Sequence, residues 1–247
     1  MAASLVDYHC HLDLYPDFEN VIEECEKNQI YTLAVTTTPR AFPKNYELTV
    51  NKKYVRAALG LHPQLISSRA DELEIWKEYF NKTRFIGEIG LDAGNKFYHS
   101  FELQKKVFKI ILELCASSDG KVLSIHSIRS APIVIDMLHN SGVMKKNKAV
   151  LHWFSGDAVN LKKAFDLGCY FSVNAEMLKN EKAKELIKQI PSHLLLTETD
   201  GPFTFIGKYP SRPKDVSVTI DLLSTLLNRT KDSTAELVLN NLMKIEE

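Results

Sequence analysis

Eight short apolar or β-branched runs punctuate this chain, and amphipathic segments fill the intervals between them. The runs lie near Leu5–His9, Ile30–Thr36, Tyr54–Leu59, Phe85–Ile89, Lys121–Ile125, Ala149–His152, Cys169–Val173 and Leu194–Thr199. Strands buried on both faces of a parallel sheet read as near-continuous apolar runs, and such strands are joined by helical crossovers. The clearest crossover helix is Phe101–Cys115, where Phe101, Val107, Phe108, Ile111, Leu112, Leu114 and Cys115 recur at helical spacing against Lys105, Lys106, Lys109 and Glu113. Further helices are expected at Asp17–Lys27, Asp71–Phe80, Pro132–Asn140, Asp157–Leu167, Asn180–Gln189 and Val216–Leu227, with the least regular pattern around Pro39–Val50. Eight strand-plus-crossover units in 247 residues match an α/β (β/α)8 TIM barrel, whose usual size is about 250 residues. A doubly wound open sheet fits the periodicity almost as well. No Pro/Gly/Ser-rich linker divides residues 1–247, so a single domain is expected.

Composition narrows the function. Hydrophobic residues make up 45% and charged residues 25%, which excludes disorder, collagen and coiled coil. The apolar runs are far shorter than the roughly 18–20 residues needed to cross a bilayer, and the start lacks the pattern of a signal peptide. A cytoplasmic location without membrane contact is the expectation. Four widely spaced cysteines with no C-x-x-C point to reduced thiols. Lys plus Arg and Asp plus Glu balance at 31 each, which argues against coating nucleic acid through a global positive field. A polyanionic substrate would have to be held locally.

What separates a barrel from an open sheet is where the polar residues fall, because a barrel gathers its active site at the carboxyl ends of its strands. Here the runs end in Asp7-Tyr8-His9-Cys10-His11, Gly60-Leu61-His62-Pro63, Gly87-Glu88-Ile89-Gly90-Leu91-Asp92, His126-Ser127, His152-Trp153-Phe154-Ser155-Gly156 and Thr197-Glu198-Thr199-Asp200. His9 and His11 are two apart and share one face of a strand, able to hold one metal ion. Glu88 lies between apolar residues and glycines, an unusual setting for a solvated carboxylate. His126 and His152 terminate successive strands, and Asp200 is presented just before a Gly-Pro turn, with Glu198 on its face. Four imidazoles and two carboxylates are too many for one tetrahedral zinc and suit two divalent ions bridged by a carboxylate. Such a pair implies hydrolysis, commonly of a phosphodiester. Mixed His/carboxylate ligands suit Zn, Mn, Fe or Co, and Mg less well. His139 and His193 read as structural, while His99 could reach the mouth.

These segments, in order, resemble the TatD family of metal-dependent deoxyribonucleases, amidohydrolase-like barrel enzymes, over nearly the whole chain. The resemblance implies one metal held by His9, His11, Glu88 and Asp200 and a second held by Glu88, His126 and His152, with Glu88 as the bridge. It implies that His62 contacts the scissile phosphate and that Asp200 orients or deprotonates the attacking water. More narrowly, the stretches Val6–Pro16 and Thr32–Pro39 resemble the TatD-like component of bacterial Qat anti-phage defence systems, which implies work beside other proteins of the Qat operon.

The chain also departs from the family pattern. After His126-Ser127 the family's arginine position holds Ile128, with Arg129 one residue later. Ala93-Gly94-Asn95-Lys96 replaces the usual tyrosine and arginine, and Gly207–Pro213 keeps only part of the motif after strand 8. A complete metal set with an altered grip leads to hydrolysis of changed specificity. Substrate contacts are expected from His62, Arg129, Ser155 and Phe203. Mouth loops are expected to carry Arg40, Lys44, Arg69, Lys96, Arg129, Lys179, Lys208, Arg212 and Lys214, with Phe42, Phe203, Phe205 and Tyr209 interleaved. Basic groups meet phosphates and aromatic faces stack bases, so the expected substrate is single-stranded DNA cut from an end. The alternatives are a metal-dependent ester or amide hydrolase, including an aminoacyl-tRNA deacylase, and a non-catalytic subunit of a defence complex.

Overall fold

The computed structural model describes residues 4–247. All eight expected strands form: β1 (Val6–Cys10), β2 (Tyr31–Val35), β3 (Val55–Ala58), β4 (Phe85–Gly90), β5 (Val122–His126), β6 (Lys148–His152), β7 (Tyr170–Val173) and β8 (Leu195–Thr197). Strands β1 to β3 pair in parallel as one sheet, and β4 to β8 as a second. Two seams join these sheets into a closed (β/α)8 barrel, which excludes the open alternative.

At the first seam Leu59 N–H donates to Phe85 O at 3.0 Å and Gly87 N–H donates to Leu59 O at 2.9 Å. Gly60 permits a closer approach. A Cβ there would sit 1.7 Å from Thr36 O, so only glycine lets the end of β2 reach β4, where Glu88 N–H donates to Thr36 O at 3.0 Å. At the second seam side chains do much of the joining. Thr197 Oγ1 donates to Val6 O at 2.6 Å, and the buried Asp7 carboxylate accepts from Thr199 N at 2.7 Å and Thr199 Oγ1 at 2.6 Å. Asp200 N–H then donates to His9 O at 2.9 Å, which ties the strand 8 carboxylate to the strand 1 histidines.

Helices occupy the expected intervals, with Phe42–Thr49 in the least regular one. In Phe101–Ala116 the face carrying Val107, Phe108, Ile111, Leu112 and Cys115 is buried against the barrel, as its 3.6-residue pattern requires. Asp157 and Asn180 cap the helices that follow them, each accepting a backbone N–H three residues on. Two elements depart from expectation. A C-terminal helix, Lys231–Glu246, packs Val238, Leu242 and Ile245 inward, and its Asn241 amide donates to Ser192 O and Leu195 O beneath β8. A small antiparallel hairpin, β9 (Phe205–Ile206) with β10 (Tyr209–Pro210), rises from the loop after β8. Among the described residues no helix is long and apolar enough to cross a membrane.

Candidate metal centre and active site

Glu88 is the hub of the barrel mouth. It is 2% exposed on β4, and its Oε1 lies 2.8 Å from His126 Nδ1, 2.9 Å from His152 Nε2 and 3.1 Å from His62 Nε2. Its Oε2 faces His11 Nε2 at 3.2 Å and His9 Nε2 at 3.5 Å. Asp200 Oδ1 stands 3.6 Å from His11 Nε2 and 3.7 Å from His9 Nε2. Every metal-ligand residue expected from the sequence therefore meets in one cluster, with the two ends of the Glu88 carboxylate facing different imidazoles.

The electrostatics follow from this packing. Burial alone would raise the Glu88 carboxyl, yet the imidazoles of His62, His152 and His9 hold it well below the usual carboxylate range. Burial and the neighbouring His152 drive His9 well below the ordinary histidine value, against the pull of Glu88. His152 resists its own burial because Glu88 and Glu198 face it, and it stays well above that value. Burial pushes the Asp200 carboxyl up to about 7, with Glu198 and Glu88 adding repulsion against the attraction of His152 and His11.

The donor set fits divalent metal. His9 Nδ1 is hydrogen-bonded to Ser124 Oγ at 2.8 Å, and with its proton there His9 keeps the Nε2 lone pair free. That Nε2 is buried without a hydrogen-bond partner and points between Glu88 and Asp200. A buried orphan nitrogen aimed at two carboxylates is what a bound cation would satisfy, and imidazole with carboxylate suits Zn, Mn, Fe or Co. Carboxylates stand behind two of the other rings, those of His126 and His152. His126 Nε2 meets Asp92 Oδ2 at 3.0 Å, and His152 Nδ1 lies 3.8 Å from Glu198 Oε1. Ser172 Oγ and Asn174 Nδ2 in turn donate to Glu198.

His62 differs from the other four. Its ligand-capable atom lies near those of Glu88 and His126, so proximity alone would make it a ligand. However, its Nδ1 accepts the backbone N–H of Gln64 at 3.1 Å, so the neutral ring carries its proton on Nε2. An N–H aimed into the mouth is a hydrogen-bond donor and offers no lone pair.

Around the cluster opens a cavity of about 840 Å3, whose walls include His62, Arg129, Ser155, Asp200 and Phe203. Arg129, Trp153 and Asp200, just past β5, β6 and β8, hold positive φ angles of 51°, 40° and 54°. Such backbone costs about 1–2 kcal/mol per residue and gathers at functional sites.

Several expected grip residues are engaged elsewhere. Arg40 and Arg69 both pair with the buried Glu72, and Arg212 pairs with Asp17 and Glu24. Phe42 is a core residue, and Arg129 Nη1 donates to Asn95 Oδ1 at 3.0 Å. Lys179 pairs with Glu176 at 2.6 Å, and Lys44 lies 3.9 Å from Glu19. In the β9–β10 hairpin Tyr209 pairs with Ile206, and Pro210 with Phe205. Directly opposed residues share a face, so Tyr209 and Phe205 lie on opposite faces. His99 is exposed and bound to Lys96 O, outside the cavity walls. Asp92, Gln64 and Ser124 have positioning contacts that the sequence reading left unassigned. Only Asp92 carried a signal, through its place at the end of the strand 4 motif.

Comparison with known proteins gives the family. Residues 6–246 match the family described as TatD related DNase. The human deoxyribonuclease TATDN3 is 24% identical over 98% of this chain and 94% of its own length. YabD of Bacillus subtilis (strain 168), named an uncharacterized metal-dependent hydrolase, is 28% identical over 98% of both chains. The crystal structure of YjjV, a TatD homolog from Escherichia coli, superposes with a TM-score of 0.87 at 26% identity, covering 99% of this chain and 98% of that one. The chain belongs to the TatD related DNase family and is a metal-dependent hydrolase of that family.

Proposed function

We propose that this protein is a two-metal phosphodiesterase that hydrolyses DNA, taking single strands from an end. The carrying observation is the buried, unpartnered His9 Nε2 aimed between Glu88 and Asp200, beside a second group of imidazoles on the same Glu88 carboxylate. His9, His11, Glu88 and Asp200 would hold one ion, and Glu88, His126 and His152 the other. When bound, such ions supply Lewis-acid stabilisation of the charge that develops on a phosphoryl group.

The chain's own residues do the rest. Asp200, at the cavity wall, accepts a proton from the attacking water. His62 donates its Nε2 proton in a hydrogen bond to a phosphate oxygen. Ser155, Arg129 and Phe203 line the cavity where the flanking sugar and base would lie, and a space of about 840 Å3 suits a terminal nucleotide. A second reading, hydrolysis of an ester or amide such as an aminoacyl-tRNA bond, is favoured by Ile128 at the cavity wall and by the tether of Arg129 to Asn95. The likeness of residues 6–16 and 32–39 to the Qat component supports a place in bacterial anti-phage defence, beside other proteins of that operon. Four free, buried cysteines accord with a cytoplasmic setting.

The test is a panel of phosphodiester and ester substrates offered to metal-loaded wild type and Glu88→Ala. DNA cleavage by wild type alone supports the phosphodiesterase, and ester cleavage alone supports the second reading. Equal behaviour of the two proteins on every substrate contradicts both.

A further inference from the structure

Beside the metal cavity lies a second recess of about 680 Å3, and the two share Trp153 and Phe203 in their walls. Its remaining lining comes from Glu176, Lys179, Thr204 and the hairpin residues Phe205 and Gly207. Gly207 holds φ 63°, which the hairpin turn requires and which glycine adopts without a Cβ penalty, and Phe205 is 49% exposed on the near strand. A half-exposed phenyl ring held out on a structured hairpin buries little in the folded protein itself. Phe203, 56% exposed, makes an edge contact with the His11 ring at 5.1 Å, so the aromatic surface runs from the metal ligands to the recess.

The charges of the recess decide what it can recognise. Lys179 is closed onto Glu176 at 2.6 Å, so the wall is close to neutral and supplies no free cation for a phosphate. Aromatic faces without charge recognise flat apolar rings. We infer that the recess between Trp153 and Phe205 is a second nucleobase subsite, which stacks the base next to the nucleotide whose phosphate lies at the metal centre. This rests on the phosphodiesterase reading and adds to it where the neighbouring nucleotide is held and by what force. Stacking on an aromatic side chain contributes about 1–3 kcal/mol per base without sequence preference, so the subsite favours any single strand over a duplex, whose bases are already stacked.

Tyr209 provides an internal control, being 79% exposed on the same hairpin but on its other face. The experiment measures binding of a short single-stranded oligodeoxynucleotide with cleavage-resistant phosphorothioate linkages, carrying 2-aminopurine next to its terminal nucleotide. Phe205→Ala should raise Kd at least about fivefold and abolish the fluorescence quenching that reports stacking. Phe205→Trp should restore both, and Tyr209→Ala should change neither. Loss of a contact to a base and not to a phosphate also leaves the salt dependence of binding unaltered. Equal effects of Phe205→Ala and Tyr209→Ala, no effect of either, or no binding by wild type would overturn the subsite. Cleavage of the normal oligonucleotide is scored in parallel: stacking without cleavage sinks the phosphodiesterase reading alone, and cleavage with Kd indifferent to Phe205 sinks the subsite alone.

Discussion

The backbone N–H of Gln64 donates to Nδ1 of His62, and this single bond sets the ring apart from the four histidines around it. It fixes the proton of the neutral ring on Nε2, which faces Glu88 Oε1 at 3.1 Å. His62 is thereby a donor placed among the proposed ligands.

That assignment separates two variants of adjacent residues. His62→Ala should retain bound metal while kcat falls about 10²- to 10³-fold, the loss typical of one donor to a developing oxyanion. Glu88→Ala should lose metal. Elemental analysis of both purified proteins alongside their kinetics checks the contrast, and loss of metal from His62→Ala would show that the ring is a ligand after all.

Asp92 acts at one remove. Its Oδ2 meets His126 Nε2, and its carboxylate is itself held by Gln64 Nε2 at 2.8 Å and Gly94 N at 2.7 Å. A carboxylate behind a metal-binding imidazole fixes the ring's orientation and raises its basicity, and its removal lowers metal affinity about 10- to 100-fold. Asp92→Asn keeps an acceptor for Gly94 and so should fold normally. Competition titration with a metal-sensitive dye measures the change, and unaltered affinity would remove Asp92 from the centre.

Metal should also stabilise the fold, because ions that bind only the native state add stability by mass action. At a free concentration 100 times Kd this amounts to about 2.7 kcal/mol. For a chain of this size that corresponds to a Tm about 5–10 °C lower after exhaustive chelation, read by differential scanning calorimetry. An unchanged Tm would count against a metal site in the mouth.

Burial pushes the thiols of Cys25, Cys115 and Cys169 up to about 12, and that of Cys10 well above the ordinary range. The native state thus holds these protons more tightly than the unfolded chain, whose thiols titrate near about 8.5. The resulting stability is complete below about pH 8 and declines as pH rises toward 12. At pH 8 a thiol reagent such as dithionitrobenzoate should therefore modify none of the four in the folded protein and all four in denaturant. Rapid native labelling would show that a thiol is more open than its burial indicates.

The eight strands were legible because parallel barrel strands are buried on both faces and write themselves as apolar runs, and because six of the eight runs led into residues that reached the mouth. Candidate ligands on strand ends were therefore read together with the fold. The C-terminal helix was missed for the opposite reason. Buried polar groups, Thr234 and Asn241, interrupt its apolar stripe, and the partners of Asn241, Ser192 and Leu195, lie elsewhere in the chain. Loop residues were the least legible. Whether Arg40, Arg69 or Arg212 is free for substrate depends on Glu72, Asp17 and Glu24, whose proximity is a matter of tertiary structure. Likewise only the pairing of the short hairpin shows that Phe205 turns toward the cavity side and Tyr209 away from it.

The most direct test of the account is metal content and cleavage measured on one preparation: elemental analysis of the purified protein, then digestion of end-labelled single-stranded DNA with and without added Mn²⁺ or Mg²⁺. About two divalent ions per chain, with metal-dependent shortening of the strand from an end that Glu88→Ala abolishes, is the predicted result. A protein that takes up no metal, or that carries two ions and leaves every DNA substrate intact just as Glu88→Ala does, would contradict it.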